Sequence, residues 1–554
     1  MVGGVGRVGS VGLQAGRSAA PVQPATTSLN FGALTPAGFG DYPVTGTITS
    51  QKDVSNNTVS HFTVTSGALV PTSTGAAASL NAGPYTITMS TGQVLTVNII
   101  ANAYHVGKAS DFNGTGGVGK ITPSTLAGKR IIGRSGLTMV SGINSDFGDP
   151  FRRAMFGTSG TGWAGVVLES EDPANPWHFT DQPYFDFRYV TFKQMRFDLP
   201  TNSAQTTIAF QGAGSFPVSD IIFDRCQFIG ATRDPFGDYS GGEAVFGNGQ
   251  GIKTVPGLNS NIRIIGCSFM YPRRGIIMQP AAPVDGSAGN LVPEALKISG
   301  NYFEGSYENA IQVVYPEADI SAIVEDNVIK GVSALSTDQD NPHADAILFS
   351  ANKLAATDWT VTINRNIILQ WGRGFPEPIA LRDFSQGGFN SGYFFVPTII
   401  GNVVESGSTE GISVDNAKNA VVLNNTVISH ETNSGSYSAT INIGAPAQTD
   451  VSTSGTHRVE RNVAEVIQVG GSPTLTNNIQ LGANGSSYAY SSAFVGPTFN
   501  PLTRDDVFAQ LARKSGSSLD LGNVPDYDVG AVGSGAINFA AANPSNIPGT
   551  NNVS

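Results

Sequence analysis

The sequence predicts an all-β chain dominated by a solenoid of short parallel strands, on three observations. A motif recurs in fixed form: an apolar residue, two spacers, Asn or Cys, one spacer, an apolar residue. The spacing between copies varies, from 23 residues (402 to 425) to 41 (226 to 267). The composition is that of many strands and turns, with 67 Gly, 31 Pro and only 13% charged residues in 554. A strand pair held in register with loops of free length between copies is how stacked repeats appear in sequence, because each repeat needs only its neighbours to bury its apolar face.

The copies read IIFDRCQF (221–228), RIIGCSF (263–269), LKISGNYF (296–303), AIVEDNVI (322–329), VTINRNII (361–368), PTIIGNVV (397–404), AVVLNNTV (420–427) and THRVERNV (456–463). Alignment places Cys226, Cys267, Asn301, Asn327, Asn366, Asn402, Asn425 and Asn462 in one column, with Met195 ahead of them. A stacked Asn can bond its amide to the next Asn and satisfy turn backbone that burial would otherwise leave unpaired. Cys226 and Cys267 fall on adjacent repeats and read as two reduced, buried thiols in the Asn slot. A second strand follows each turn, beginning near Glu243, Arg274, Asn309, Asp345, Glu377, Glu410 and Ser438. The solenoid is expected over 104–500, its first strands in 129–140 and 165–173.

Other segments differ in character. Residues 1–27 carry Gly3, Gly6, Gly9 and Gly12 at every third place and read as a flexible arm or anchor. Residues 28–103 hold DYPVTGTITS, HFTVTSG, PYTITMS and QVLTVNII, alternating at period two between turns, the pattern of a small immunoglobulin-like β-sandwich. Residues 501–554 contain a helix over 502–515, then closing strands and a small-residue tail.

Composition also excludes classes. A net charge of −11 leaves no basic stripe for a nucleic acid. No run of about 20 apolar residues predicts membrane insertion. The first sixteen residues lack the apolar centre of a signal peptide, so the expectation is a chain made in a cytoplasm and carried outward on a particle. No Walker motif, dinucleotide fingerprint, zinc spacing or nucleophile elbow occurs. No cofactor is expected. Calcium is the alternative, held by Asp234, Asp238 and Glu243 in RDPFGDYSGGE, although the spacing of an EF-hand loop is not met.

Asp345, Glu377 and Glu410 share one column on three consecutive repeats, and His343 stands two residues before Asp345. Stacked acids about 5 Å apart repel and raise one pKa, and paired carboxylates are what glycoside cleavage requires. His343, Asp345, Glu377 and Glu410 are therefore the expected acid–base set. Arg382 and Asp415 share a second column on consecutive repeats, with Asp383 beside Arg382. They read as an ion pair, or as an arginine clamp for a sugar carboxylate. Trp371 and Tyr393 flank the same repeats and are expected to stack on sugar rings.

These repeats resemble right-handed parallel β-helix proteins of the pectate-lyase-like superfamily, and SSLDLG followed by DVGAV is similar to its closing pattern. With the Gly-rich arm and the small β module in front, the chain resembles a bacteriophage tailspike or virion fibre. The resemblance implies a homotrimer in the virion that contacts other virion proteins through its arm. It further implies that the chain binds, and cleaves as a depolymerase, a host cell-surface polysaccharide. A fibre that binds without cutting, and a bacterial β-helix lyase or hydrolase, are the alternatives.

Overall fold

The computed structural model describes parts of residues 26–480. Its descriptions leave out 1–25, 481–554 and the longer connections, among them 33–41, 73–83, 107–127, 140–164, 231–249, 279–293, 333–343, 352–357, 370–376, 384–393, 430–438 and 445–453. The expected arm, C-terminal helix, closing strands and tail thus lie outside the described residues, apart from Thr26 and Thr27.

The chain divides into two compact units. In the first, one sheet runs Thr26–Gly32, Val94–Ile100, Tyr85–Met89, Ile48–Lys52, and a second runs Tyr42–Pro43, Ala68–Pro71, Phe62–Thr65. Leu29, Tyr42, Phe62, Leu69, Tyr85, Ile87, Met89, Leu95 and Val97 form one core between them. The Gln51 amide is buried there, donating to the Phe62 carbonyl (2.6 Å) and accepting from the Phe62 amide (2.9 Å). Thr26 and Thr27, expected in the arm, belong to the first strand, which pairs parallel with Val94–Ile100. Two threonines after a Pro/Ala stretch carry no period of their own, and only the partner strand reveals the assignment.

The second unit is a parallel β-helix. Among the described residues it has three parallel sheets of 13, 12 and 10 strands, beginning at Ala103–Val106. Each full rung contributes three strands, one per sheet, as in Trp359–Asn364, Ile367–Leu369 and Glu377–Asp383. Period-two burial fixes which side faces in: Phe395–Ile400 alternates buried and half-buried residues along its length. Phe223, Ile264, Ile298, Val324, Ile363, Ile399 and Val422 stack in register through successive rungs. One continuous core results, which no single rung could close alone.

The expected column forms a ladder. From Asn301 to Asn462 each Oδ1 accepts from the backbone N–H of the residue one rung earlier. From Asn327 onward it also accepts that residue's Nδ2, while each Nδ2 donates to a strand carbonyl. Asn478 adds a further member. The residue before each member is left-handed: Gln194, Arg225, Gly266, Gly300, Asp326, Arg365, Gly401, Asn424 and Arg461 have φ between 52° and 68°. That backbone costs a non-glycine residue about 1–2 kcal/mol, and the Asn amide that locks the turn offsets it. Cys226 and Cys267 are free, and their sulfurs take over the slot at 3.3–3.5 Å from the neighbouring backbone. On those earlier rungs Phe179, Phe197, Phe228, Phe269 and Phe303 stack in a file with centroids 4.5–5.5 Å apart.

Candidate functional site: carboxylates around Arg382

Asp345–Ala351, Glu377–Asp383 and Glu410–Val414 are consecutive strands of the 10-stranded sheet. Asp345 lies directly opposite Glu377, and Ile379 opposite Ile412. The same offset carries Glu410 beside Glu377, so the three acids share one column. The residues that follow them are small or stiff: Ala346, Pro378 and Gly411. Ala346 packs in the core, and a Cβ at Gly411 would collide with Val427. This corner therefore turns the following residue inward and the preceding acid away from the core. A register irregularity after Glu410 sets it opposite Thr440.

Arg382 collects the column. Its Nη2 donates to Glu377 Oε2 at 2.5 Å and to Glu410 Oε2, and its Nη1 reaches Asp415 Oδ1 at 3.5 Å. The Asp415 backbone amide donates to the Leu381 carbonyl at 2.9 Å, fixing that turn to the Arg382 strand. Burial works against the guanidinium's charge, but Glu377, Asp415 and Glu410 outweigh it and hold Arg382 above the ordinary arginine range. Glu410 keeps the most accessible side chain of the four, at 19%, and Asn442 Nδ2 donates to its other oxygen at 3.5 Å.

Asp345 is set apart. It is 3% exposed, its backbone amide donates to Asn309 Oδ1 (2.7 Å), and its own Oδ1 has no hydrogen-bond partner. Burial first, then the charge of Glu377, raises its pKa well above the usual carboxylate range, with Arg382 opposing and Glu410 adding. A buried acid that holds its proton beside two further carboxyl groups bound to one arginine is the pairing an acid–base site needs.

The expected set is thus brought together in part. Asp345, Glu377, Glu410, Arg382 and Asp415 form one cluster. His343, Trp371 and Tyr393 lie outside the described residues, as do Asp234, Asp238 and Glu243; Asp383 ends its strand, with its side chain outside the description. Two column positions differ from the sequence expectation. The second strand of the Cys226 rung is Gln250–Thr254, so Gln250, opposite Arg274, takes the place assigned to Glu243. Thr440 takes that of Ser438. Both EAVFGN and GQGIKT alternate well enough to be the strand, and the neighbouring register decides between them. The Arg382–Glu377 contact, five residues apart in one strand, had no signal in a period-two reading.

No protein-family model matches the chain, and no curated protein sequence matches it. Solved structures do. A GH136 lacto-N-biosidase from Eubacterium ramulus is 11% identical with a TM-score of 0.37, over 67% of this chain and 66% of that one. A mannuronic acid specific polysaccharide family 6 lyase from human gut microbiota is 15% identical with a TM-score of 0.40, over 68% and 80%. A DFA-IIIase from Arthrobacter chlorophenolicus A6, without its lid, is 11% identical with a TM-score of 0.32, over 61% and 87%. The chain spans just under two thirds of the length of the first of these.

Proposed function

We propose that this chain binds a polysaccharide along the flank carrying Asp345, Glu377 and Glu410 and hydrolyses it there. The observation that carries the reading is the buried carboxyl of Asp345, whose Oδ1 has no hydrogen-bond partner, stacked beside two carboxylates that a single arginine holds in place. Asp345 gives its proton to the leaving glycosidic oxygen. Glu410, the most accessible acid, takes a proton from the water that attacks the anomeric carbon. The glycosidic C–O bond breaks as the new one forms; Glu410 then releases its proton to solvent, and solvent returns one to Asp345. Two rungs at about 4.8 Å each set these groups near the upper end of the separation used for inversion.

The test is incubation of the full chain with bacterial capsular and O-antigen polysaccharides, reading new reducing ends and the anomer formed first. Cleavage by the wild type, lowered at least about 100-fold in Asp345→Asn and Glu410→Gln with the folded structure kept by circular dichroism, is expected. A double variant that cuts at the wild-type rate would move the chemistry elsewhere, and a wild type that binds glycan without cutting would make this a binding spike.

We further propose that the setting is a virion: a trimeric bacteriophage spike whose coil faces the host glycan and whose N-terminal region contacts other virion proteins. The support is the Gly-every-third arm and the small β module ahead of a long coil. Light scattering should return three times the 57.6 kDa chain mass; a monomer at micromolar concentration refutes the trimer.

A further inference from the structure

We infer that Tyr271 is a sugar-stacking residue, whose ring seats one unit of the glycan two rungs before Asp345. This rests on the glycan-binding part of the reading above and not on hydrolysis.

The argument starts from the backbone. The corner that follows the strands of the 12-stranded sheet stacks Gly230, Tyr271, Gly305 and Gly331 on successive rungs. Their N–H groups donate to the carbonyls of Met270, Glu304, Lys330 and Leu369, each one rung later, at 2.7–2.9 Å. Tyr271, Gly305 and Gly331 are left-handed, with φ of 55°, 67° and 69°. Glycine takes that conformation freely, whereas a bulky aromatic residue in it is an outlier. In the Asn turn a buried side-chain amide locks such residues; the bonds just named are made by backbone alone.

The neighbouring rungs are shaped to the tyrosine. A Cβ at Gly230 would strike the Tyr271 carbonyl, and one at Gly305 would lie 2.6 Å from Cδ1 of its ring. The ring is therefore laid against Gly305, and the residue stays half-buried. Its hydroxyl donates to Glu304 Oε1 at 3.4 Å, while buried Tyr302 donates to Oε2. Burial, then the charge of Glu304, raises the Tyr271 pKa above the ordinary phenol range, so the ring carries a neutral donor. One bond at the long end of the range does not account for a large side chain in so unfavourable a backbone. Residues held this way gather where ligands are met.

The place in the coil names the ligand. Tyr271 leads through Pro272 and Arg273 into Arg274. The pairings of Ile276 with Ile311 and of Ile311 with Ile347 set Arg274 in the column of Asp345, two rungs before it, about 10 Å along the axis. A polymer lying along the coil meets both. Arg273 and Arg274 pair with Glu308 on the next rung, so polar groups stand beside the ring. An aromatic face with a polar edge suits a sugar, whose C–H side lies on the ring while its hydroxyls reach the rim.

The experiment compares the full wild-type chain with Tyr271→Gly and Tyr271→Phe. The probe is an array of purified bacterial capsular and O-antigen polysaccharides, with Tm and light scattering recorded for each variant. The wild type is expected to bind at least one polysaccharide of the array. On it Tyr271→Gly should bind at least about 10-fold more weakly, and Tyr271→Phe within about threefold of the wild type. Where that polysaccharide is cleaved, Tyr271→Gly should raise KM and leave kcat within about twofold. Its Tm should stay at or above the wild-type value, because glycine relieves the left-handed backbone. Wild-type binding by Tyr271→Gly overturns the inference and leaves hydrolysis at Asp345 standing. A Tm lowered by more than about 3 °C makes the ring a packing element, a changed oligomeric state makes it a subunit contact, and a Tyr271→Phe chain as weak as Tyr271→Gly assigns the effect to the hydroxyl; each overturns the stacking role. Binding through Tyr271 without cleavage keeps the inference and removes the hydrolytic reading. A wild type that binds nothing on the array overturns both.

Discussion

Asn366 offers the sharpest test of what holds the coil together. It is fully buried. Its Oδ1 accepts from the Asn327 backbone N–H (3.1 Å) and Asn327 Nδ2 (2.9 Å), and its Nδ2 donates to the Val324 carbonyl (2.9 Å) and Asn402 Oδ1 (3.0 Å). Asn366→Leu removes all four bonds while keeping the number and branching of the side-chain heavy atoms. Asn402 Oδ1 still accepts from the residue-366 backbone amide (2.9 Å), so it is not orphaned. The Asn327 backbone N–H is, and the Asn327 amide keeps one N–H on the Ile298 carbonyl (3.0 Å) while its other N–H loses its acceptor where water does not reach. At about 1–3 kcal/mol for each unsatisfied buried N–H, the loss is about 2–6 kcal/mol, offset by roughly 1 kcal/mol of added apolar burial. Asn366→Cys should cost less, since the Cys226 and Cys267 sulfurs already fill this slot in the same coil. The assay pairs denaturant unfolding, followed by tryptophan fluorescence, with hydrogen exchange on the peptide containing Asn327. Trp359 reports the same rung, buried edge-on against Phe395. An Asn366→Leu chain that melts with the wild type and keeps the Asn327 amide protected would refute the ladder as a source of stability.

Three other outcomes follow from the buried charges and the tight corner. The folded-state pKa of Asp345 is raised, so its contribution to stability is complete below the unfolded value of about 3.9 and is lost as pH rises through the folded one; Asp345→Asn should match the wild type near pH 4 and overtake it at neutral pH, and equal melting curves across that range would count against the buried proton. His105 is the opposite case: burial, then Arg134, lowers it to about 3 despite Glu171 at 3.6 Å, so stability present above pH ~6.5 drains away toward pH 3, by roughly 4–5 kcal/mol at full effect, and His105→Gln should flatten the acid limb of a Tm–pH profile. Gly411→Ala should lower Tm and shift Glu410 as the new methyl meets Val427; a variant unchanged in both Tm and glycan cleavage would show that the corner gives way freely.

The repeat was legible because an Asn at a buried turn and an apolar residue on either side are both obligatory, and obligation leaves a pattern. Six of the nine left-handed residues before that column escaped notice because Gln194, Arg225, Asp326, Arg365, Asn424 and Arg461 are mostly not turn formers; the amide ladder, not their own preference, imposes the conformation. The acid column was readable from the alignment of second strands, since stacking in register converts equal offsets into neighbours. What Arg382 does was readable in part: its pairing with Asp415 follows from their shared column, but its bond to Glu377 spans five residues of one strand, and its bond to Glu410 crosses to the next rung. Asn309 stood in the aligned column, but its service to the Asp345 backbone depends on a turn that spacing does not describe.

Both halves of the coil share one apolar core, but what each adds to it responds differently to temperature. The file of rings from Phe179 to Phe303 draws on a solvent-driven term that fades on cooling, whereas the amide ladder from Asn301 onward rests on directional bonds that do not fade with it. Chilling should therefore loosen the rungs before Asn301 ahead of those after it. The cluster around Arg382 sits in the later stretch, so a preparation kept cold would fray at its aromatic end while the carboxylates kept their spacing.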